Sequence, residues 1–380
     1  IGEDIRDLGL EICISFNHFF RSIMRKLTLL LLFVASLATE ALAQHEIKSI
    51  IFLIGDGMGL SSVSMMQLEN HYEPTIFDRA ENIALQKTYS LDNRVTDSAA
   101  SGTALATGTK TNNTVLGKTP DGEPLVSLMD IAHQRGMQTG LIATTYLQHA
   151  TPGSFYAHTE SRHDYLTITE QLVASSIDVA IGGGMSFFEE LYGSKEAAEE
   201  RLNEVGFELI EDMEALKATN GDRRVMALLG AKEVGENSGS YLAEATAEAI
   251  RLFEERGDEG FALMVEGSLI DGMGHGNDAK AMQREMDSFM QAIEVAVEYA
   301  EESGDTLVVV TADHETGGLA IVSGNADFNL SEQGIEYRWA TDGHSGQMVP
   351  IYLYGAGAER INGIMENAEL GAKLKALLSE

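Results

Sequence analysis

Apolar and polar positions follow two periods along this chain. Short runs in which nearly every residue is apolar read as strands buried on both faces: Ser49 to Ile54, Thr139 to Thr144, Val179 to Ile181, Phe261 to Val265, Thr306 to Thr311 and Val349 to Tyr354. Between them, apolar residues three or four apart predict helices over Val126 to Gln134, Thr167 to Ser175, Tyr241 to Arg256, Ala279 to Glu302 and Ala368 to Leu378. In Tyr241 to Arg256 the stripe is clearest, with Leu242, Ala245, Ala249 and Leu252 on it and Glu244, Glu248 and Glu255 off it. Strands that alternate with amphipathic helices predict an α/β fold with a mostly parallel sheet. No internal repeat or linker interrupts the pattern, and one domain over residues 44–380 is the simplest reading.

The N-terminal stretch follows a different rule. Met24-Arg25-Lys26 carries positive charge, Leu27 to Ala38 is almost wholly apolar, and Ala41-Leu42-Ala43 precedes Gln44 as a small-residue cleavage signal. That order predicts a secretory signal peptide over residues 24–43, with residues 1–23 an upstream extension outside the fold. Export to a periplasm or the exterior follows. The apolar run is too short to cross a bilayer, and no later stretch reaches the ~20 apolar residues a stable span needs.

Composition narrows the function. Lys and Arg number 26 against 59 Asp and Glu, a net charge of -33, which gives no long-range attraction to nucleic acid or to an anionic lipid surface. The single cysteine, Cys13, excludes an intrachain disulfide and a thiolate metal cluster, so any metal must be held by His and carboxylate.

The polar clusters stand just past the C-terminal ends of apolar strands: Gly55-Asp56-Gly57, His149-Ala150-Thr151, Glu266-Gly267 and Asp313-His314-Glu315. In an open parallel sheet those ends line one edge, where ligands bind. Asp271 and His275, four apart, share one side of a helical turn. With His344 in the glycine-flanked Gly343-His344-Ser345-Gly346 they form a nitrogen-and-oxygen set suited to zinc. Asp56, Asp313 and His314 make a second such set. Glu266 and Thr151 offer hard oxygens that suit magnesium, with Asp56 able to bridge. Singly, a His or Asp beside Gly is more often a turn or cap residue, and it is their number at one sheet edge that points to ligands. Ser98, in Thr96-Asp97-Ser98-Ala99-Ala100, is the candidate nucleophile, at the start of a helix whose positive end favours an anion. Its plain alternative is a helix N-cap serine. Arg162 suits a bidentate grip on phosphoryl oxygens, or a surface ion pair.

These motifs resemble the alkaline phosphatase family: Ile54-Gly55-Asp56-Gly57-Met58-Gly59, Thr96-Asp97-Ser98-Ala99-Ala100, His149-Ala150-Thr151-Pro152, Arg162, Glu266 to Asp271 with His275, Thr311-Ala312-Asp313-His314-Glu315-Thr316-Gly317-Gly318, and Gly343-His344-Ser345. The resemblance implies a three-layer αβα fold and a phosphomonoester hydrolase, commonly a homodimer, acting on small phosphomonoesters. It assigns Ser98 as the phosphorylated nucleophile and Arg162 as the phosphate clamp. One Zn²⁺ falls to Asp271, His275 and His344, a second Zn²⁺ to Asp56, Asp313 and His314, and one Mg²⁺ to Asp56, Thr151 and Glu266. His149 stands where some members have Asp, a change that weakens magnesium-water contacts and favours zinc at the third site. Gly272 stands where others place Lys, His or Trp.

Three other readings compete. Gly55-x-Gly57-x-Gly59 after a strand suggests a dinucleotide turn, but the spacing is wrong and Asp56 would repel pyrophosphate. A phosphodiesterase, phosphomutase or sulfatase of the same superfamily is the nearest alternative. A non-catalytic, acidic metal-binding secreted protein is the third.

Overall fold

The computed structural model describes Met24, Lys26 and residues 47–234, 239–324 and 334–379. The expected upstream extension and signal peptide, 1–23 and 24–43, therefore lie outside the described residues except at Met24 and Lys26. Among the described residues no helix is long and apolar enough to cross a membrane.

Among the described residues fourteen strands are numbered in chain order: β1 Ser49–Gly55, β2 Asn82–Lys87, β3 Gln138–Tyr146, β4 Val179–Gly183, β5 Phe207–Ile210, β6 Arg224–Leu228, β7 Phe261–Gly267, β8 Thr306–Thr311, β9 Glu315–Thr316, β10 Ala320–Ser323, β11 Ile335–Arg338, β12 His344–Ser345, β13 Val349–Gly355 and β14 Gly363–Glu366. Ten of them form one sheet in the order β14-β2-β13-β8-β1-β7-β3-β4-β6-β5. Within this sheet β13 alone runs antiparallel to its neighbours. All six strands and all five helices predicted from periodicity are present, within three residues at each end. The outer strands β2, β5, β6 and β14, two at each end of the sheet and each four to six residues long, carry no such pattern.

Alternation along β1 explains the three layers. Ile50, Phe52 and Ile54 join one core with Leu105, Met129, Leu172 and Leu374, contributed by helices Ser98–Thr107, Leu128–Gln134, Tyr165–Ala174 and Asn367–Leu377. Ile51 and Leu53 face the other way, onto Val63, Leu252 and Phe289 of helices Leu60–Glu69, Tyr241–Arg256 and Ala279–Ser303. Because both faces are covered, β1, β7 and β8 are buried along their whole length and read as unbroken apolar runs.

Register then sets the functional edge. In the central strands Ile54 is level with Glu266 on one side and Thr311 on the other, and Ala143 of β3 is level with Glu266. Asp56, Glu266 and Asp313 thus emerge together. Phe289 packs beneath them: a Cβ on Gly55 or Gly267 would lie 3.1 or 2.8 Å from its ring, so glycine ends both strands where that ring enters.

Candidate metal centre

Eleven sequence-selected side chains meet at this edge in three overlapping groups and one adjoining pair. Asp271 and His275 lie on helix Leu269–His275, which follows β7, with Asp271 Oδ2 3.3 Å from His275 Nε2. The short β9–β12 ladder brings in His344, whose Nε2 is 3.7 Å from Asp271 Oδ1. In the second group His314 Nε2 is 3.4 Å from Asp56 Oδ1 and 3.2 Å from Asp313 Oδ2, and all three residues are fully buried. The third gathers Asp56, Glu266 and His149, with His149 Nδ1 4.0 Å from Glu266 Oε1. Thr151 lies two residues on, in the turn Ala150–Gly153, with its hydroxyl buried and unpartnered.

The contacts behind these groups orient the ligand atoms. His275 Nδ1 meets the carbonyl of Asp342 at 2.6 Å and His344 Nδ1 that of Thr96 at 2.8 Å. A carbonyl only accepts, so each Nδ1 carries the proton and each Nε2 keeps its lone pair for a metal. His314 Nδ1 is 3.2 Å from Thr316 Oγ1, whose hydroxyl donates in turn to Asp271. Asp313 Oδ1 accepts from the backbone N–H of Gly57 and of His314, leaving Oδ2 free. Gly57 must be glycine: it sits at φ 72°, and a Cβ there would lie 2.9 Å from Asp271 Cα.

The residues present fit cations. Among the described residues, Asp56 Oδ1 and Oδ2, Asp313 Oδ2, Glu266 Oε1, His149 Nδ1 and Thr151 Oγ1 are buried without a hydrogen-bond partner. Burial, reinforced by Asp313, Asp271 and Glu266, holds the Asp56 carboxyl well above the usual carboxylate range. Burial likewise pushes Glu266 up to about 8. Burial and then Arg162 push His149 down to about 3, and burial lowers His314. Asp271 goes the other way: burial raises it, but hydrogen bonding to His275 and the fields of His314 and His344 outweigh that and leave it low. The same hydrogen bond lifts His275 to about 9, so a cation on this pair competes with a proton. Carboxylates and imidazoles around the first two groups suit zinc, and the oxygen-rich third suits magnesium; a guanidinium only donates, so the contact of His149 Nε2 with Arg162 leaves the proton on Nδ1, the nitrogen that faces Glu266.

Ser98 is 1% exposed and is the first residue of helix Ser98–Thr107, with Oγ 3.2 Å from His314 Nε2. It is not the N-cap. That task falls to Asp97, whose Oδ1 accepts from the Ala100 N–H at 3.0 Å while Oδ2 holds Arg162 Nη1 at 3.2 Å. Arg162 Nη2 also donates to His149 Nε2 at 3.2 Å, and its backbone is pinned to the carbonyl of Thr114. Asp97 thereby ties the guanidinium to the helix that carries Ser98. Sequence reading had passed over the supporting roles of Asp97 and Thr316. A cap three residues before Ala100 was the available signal for Asp97, whereas the carbonyls of Thr96 and Asp342 leave no trace in sequence. Gly272 lies in the helix with no positive φ, exposed, and a Cβ there would meet nothing within 4 Å.

Comparisons with known proteins agree with this geometry. The family model described as alkaline phosphatase matches residues 47–334. Alkaline phosphatase 4 of Bacillus subtilis is 30% identical, with 85% of this chain and 87% of that protein covered. The alkaline phosphatase of Escherichia coli is 28% identical over 89% of this chain and 88% of its own length. The solved structure of alkaline phosphatase from the Antarctic bacterium TAB5 superposes with a TM-score of 0.81, at 33% identity and covering 88% of this chain and 98% of that one. In a variant of that neighbour with one histidine replaced by aspartate, Mg is bound in the site named M3; it covers 88% of this chain and 99% of its own, at 32% identity and TM-score 0.81. On the matched length and these relatives, the chain belongs to the alkaline phosphatase family.

Proposed function

We propose that this enzyme hydrolyses small phosphomonoesters through a phosphoserine at Ser98, releasing an alcohol and then inorganic phosphate. The observation that carries the reading is Ser98 Oγ, buried at a helix N-terminus and 3.2 Å from His314, beside carboxylate oxygens that have no other partner. One zinc would be held by Asp271, His275 and His344, the other by Asp56, Asp313 and His314, and magnesium by Asp56, Glu266 and Thr151 with His149 beside it. When bound, such ions lower the pKa of hydroxyl groups and screen charge on a phosphoryl group.

The chain's own residues supply the rest. Ser98 gives up its hydroxyl proton as Oγ attacks phosphorus, the ester P–O bond breaks, and a proton passes to the leaving alkoxide, so that the alcohol departs neutral. Water then attacks the phosphoserine, the P–Oγ bond breaks, and Ser98 is regenerated. Arg162 donates two parallel N–H groups to the non-ester oxygens, and the helix N-terminus favours the negative charge gathered there. A diester has one fewer such oxygen, which favours the monoester reading over a phosphodiesterase. Turnover of p-nitrophenyl phosphate and of its bis-ester tests this. The monoester should be hydrolysed far faster; preference for the bis-ester would overturn the assignment.

The proposal extends to an exported, single-domain homodimer, with the segment at residues 24–43 removed. Secreted protein that begins at Gln44 and scatters light at twice the monomer mass would support both points.

A further inference from the structure

We infer that Glu315 is a positioning residue that sets the separation of the two proposed zinc sites, by clasping the loop that bears His344 to the loop that bears His314. The inference rests on the zinc reading of Asp271, His275 and His344 given above.

Glu315 follows His314 directly and is 1% exposed. Three donors meet its carboxylate, and none of them is charged. The Leu319 N–H donates to Oε1 at 3.1 Å, while Oε2 accepts from the Ser345 hydroxyl and from Gln347 Nε2 at 3.3 Å. Ser345 follows His344, so a single side chain joins the residue after one zinc group's histidine to the residue after the other's. The backbone shares this work, since the Gly317 N–H donates to the Gly343 carbonyl at 2.9 Å and the Gly317 carbonyl accepts from Ala340 and Thr341, but these bonds lie on the far side of Thr316 from Glu315. The β9–β12 ladder has two rungs, His344 with Thr316 and Ser345 with Glu315, and so short a pairing frays without support from side chains.

Glu315 also touches the third loop. A Cβ on Gly59 would lie 2.3 Å from Glu315 Cγ, so the loop that bears Asp56 closes onto the stem of this side chain. Residue chemistry at this point is restrictive. Both carboxylate oxygens accept, and only an ionised acid accepts at both ends. Glutamine would turn an N–H₂ toward the Leu319 N–H or toward the Ser345 and Gln347 donors, and aspartate is one methylene too short to span the loops. Supporting contacts of this type hold a ligand imidazole at the angle its metal requires.

The test is zinc retention by the holoenzyme against a chromophoric chelator, with thermal unfolding measured alongside. Ser345→Ala removes one donor and leaves the carboxylate, and it should weaken one of the two zinc ions roughly 10- to 100-fold. Ser345→Thr restores the hydroxyl and should retain zinc as the wild type does. Glu315→Gln should lose at least as much as Ser345→Ala, and adding Ser345→Ala to it should cost little more, since both break the same clasp. If Glu315→Gln does not fold, the two Ser345 variants decide. Unchanged zinc affinity in Ser345→Ala, or equal loss in Ser345→Thr, overturns the inference. His344→Ala separates the two readings: if it loses a zinc while Ser345→Ala does not, only the clasp fails, and if it also keeps both ions, the zinc assignment falls with it.

Discussion

Replacing Gly272 with lysine probes the way product is held. Gly272 is exposed within a regular helical turn, and its missing Cβ would meet nothing within 4 Å, so the backbone does not require glycine there. Helix propensity should then make Gly272→Lys slightly more stable, by about 0.7 kcal/mol, with a melting temperature raised by roughly 2 °C or less. Its ammonium adds a charge-assisted contact to phosphate bound beside Asp271. Such contacts contribute about 1.5 to 3 kcal/mol when buried and about 0.2 to 1 kcal/mol on an open surface. The Asp271 side chain is 16% exposed but position 272 is open to solvent, which sets the expected gain near 1 kcal/mol, or about fivefold in affinity. Steady-state hydrolysis of p-nitrophenyl phosphate with added inorganic phosphate gives the inhibition constant directly. That constant and KM should both fall about fivefold, and kcat should fall wherever phosphate release limits turnover. Gly272→Met, of similar length without charge, should leave all three unchanged, and raising the salt concentration should shrink the lysine effect. An unchanged inhibition constant in a stably folded Gly272→Lys protein would refute the reasoning.

Ser98→Ala should lose roughly 10³-fold or more in kcat while keeping its metals, and wild-type turnover should proceed with retention of configuration at phosphorus, which chiral phosphate analysis reads. Chelation should abolish activity and lower the melting temperature, and zinc plus magnesium should restore both. In the metal-free chain Glu266 binds its proton up to about pH 8, against an ordinary value of 4.5, so its contribution to stability is lost as pH rises through that window. Since a cation requires the ionised form, the gap in melting temperature between loaded and metal-free protein should widen toward pH 8; calorimetry at two pH values checks the sign. With a net charge of -33, substrate dianions approach through a repulsive mean field, and added salt should raise kcat/KM at low substrate; a falling response would mean that local positive charge dominates.

The legibility of this protein in its sequence divides along physical lines. Central strands such as β1 and β8 are buried on both faces, so their apolar runs are unbroken and their limits stand out. β2 and β14 are flanked or half covered, with Ile83 and Ile364 exposed, and so carry no pattern distinct from a loop. Helix Ser98–Thr107 was traceable only through its small residues, because all ten of its positions are buried and an amphipathic stripe is absent. Most of the site's ligand residues could be found because they follow a recognisable strand end, and His344 because glycines flank it. What orients them could not: the carbonyls of Asp342 and Thr96 belong to positions whose side chains are irrelevant to the contact. The contacts of Thr316 with Asp271 and His314 depend on a two-rung ladder that no periodicity announces.

The placement of charge supplies its own argument for cations. Asp56, Glu266 and Asp313 are fully buried at the ends of parallel strands in a protein that already carries a large excess of acid. Among the described residues no lysine is paired with them, and the nearby Arg162 is held by Asp97 and His149. Left to themselves, such groups would protonate, and Asp56 and Glu266 are indeed pushed toward that state by burial. Hydrophobic residues of similar volume would make a more stable edge. What the arrangement achieves instead is a set of preoriented oxygens and Nε2 lone pairs, with the second atom of Asp313, Glu266, His275 and His344 held by a fixed partner. The fold thus carries a local electrostatic cost that protons or bound cations relieve, and metal binding, folding stability and catalytic competence are coupled through the same few side chains.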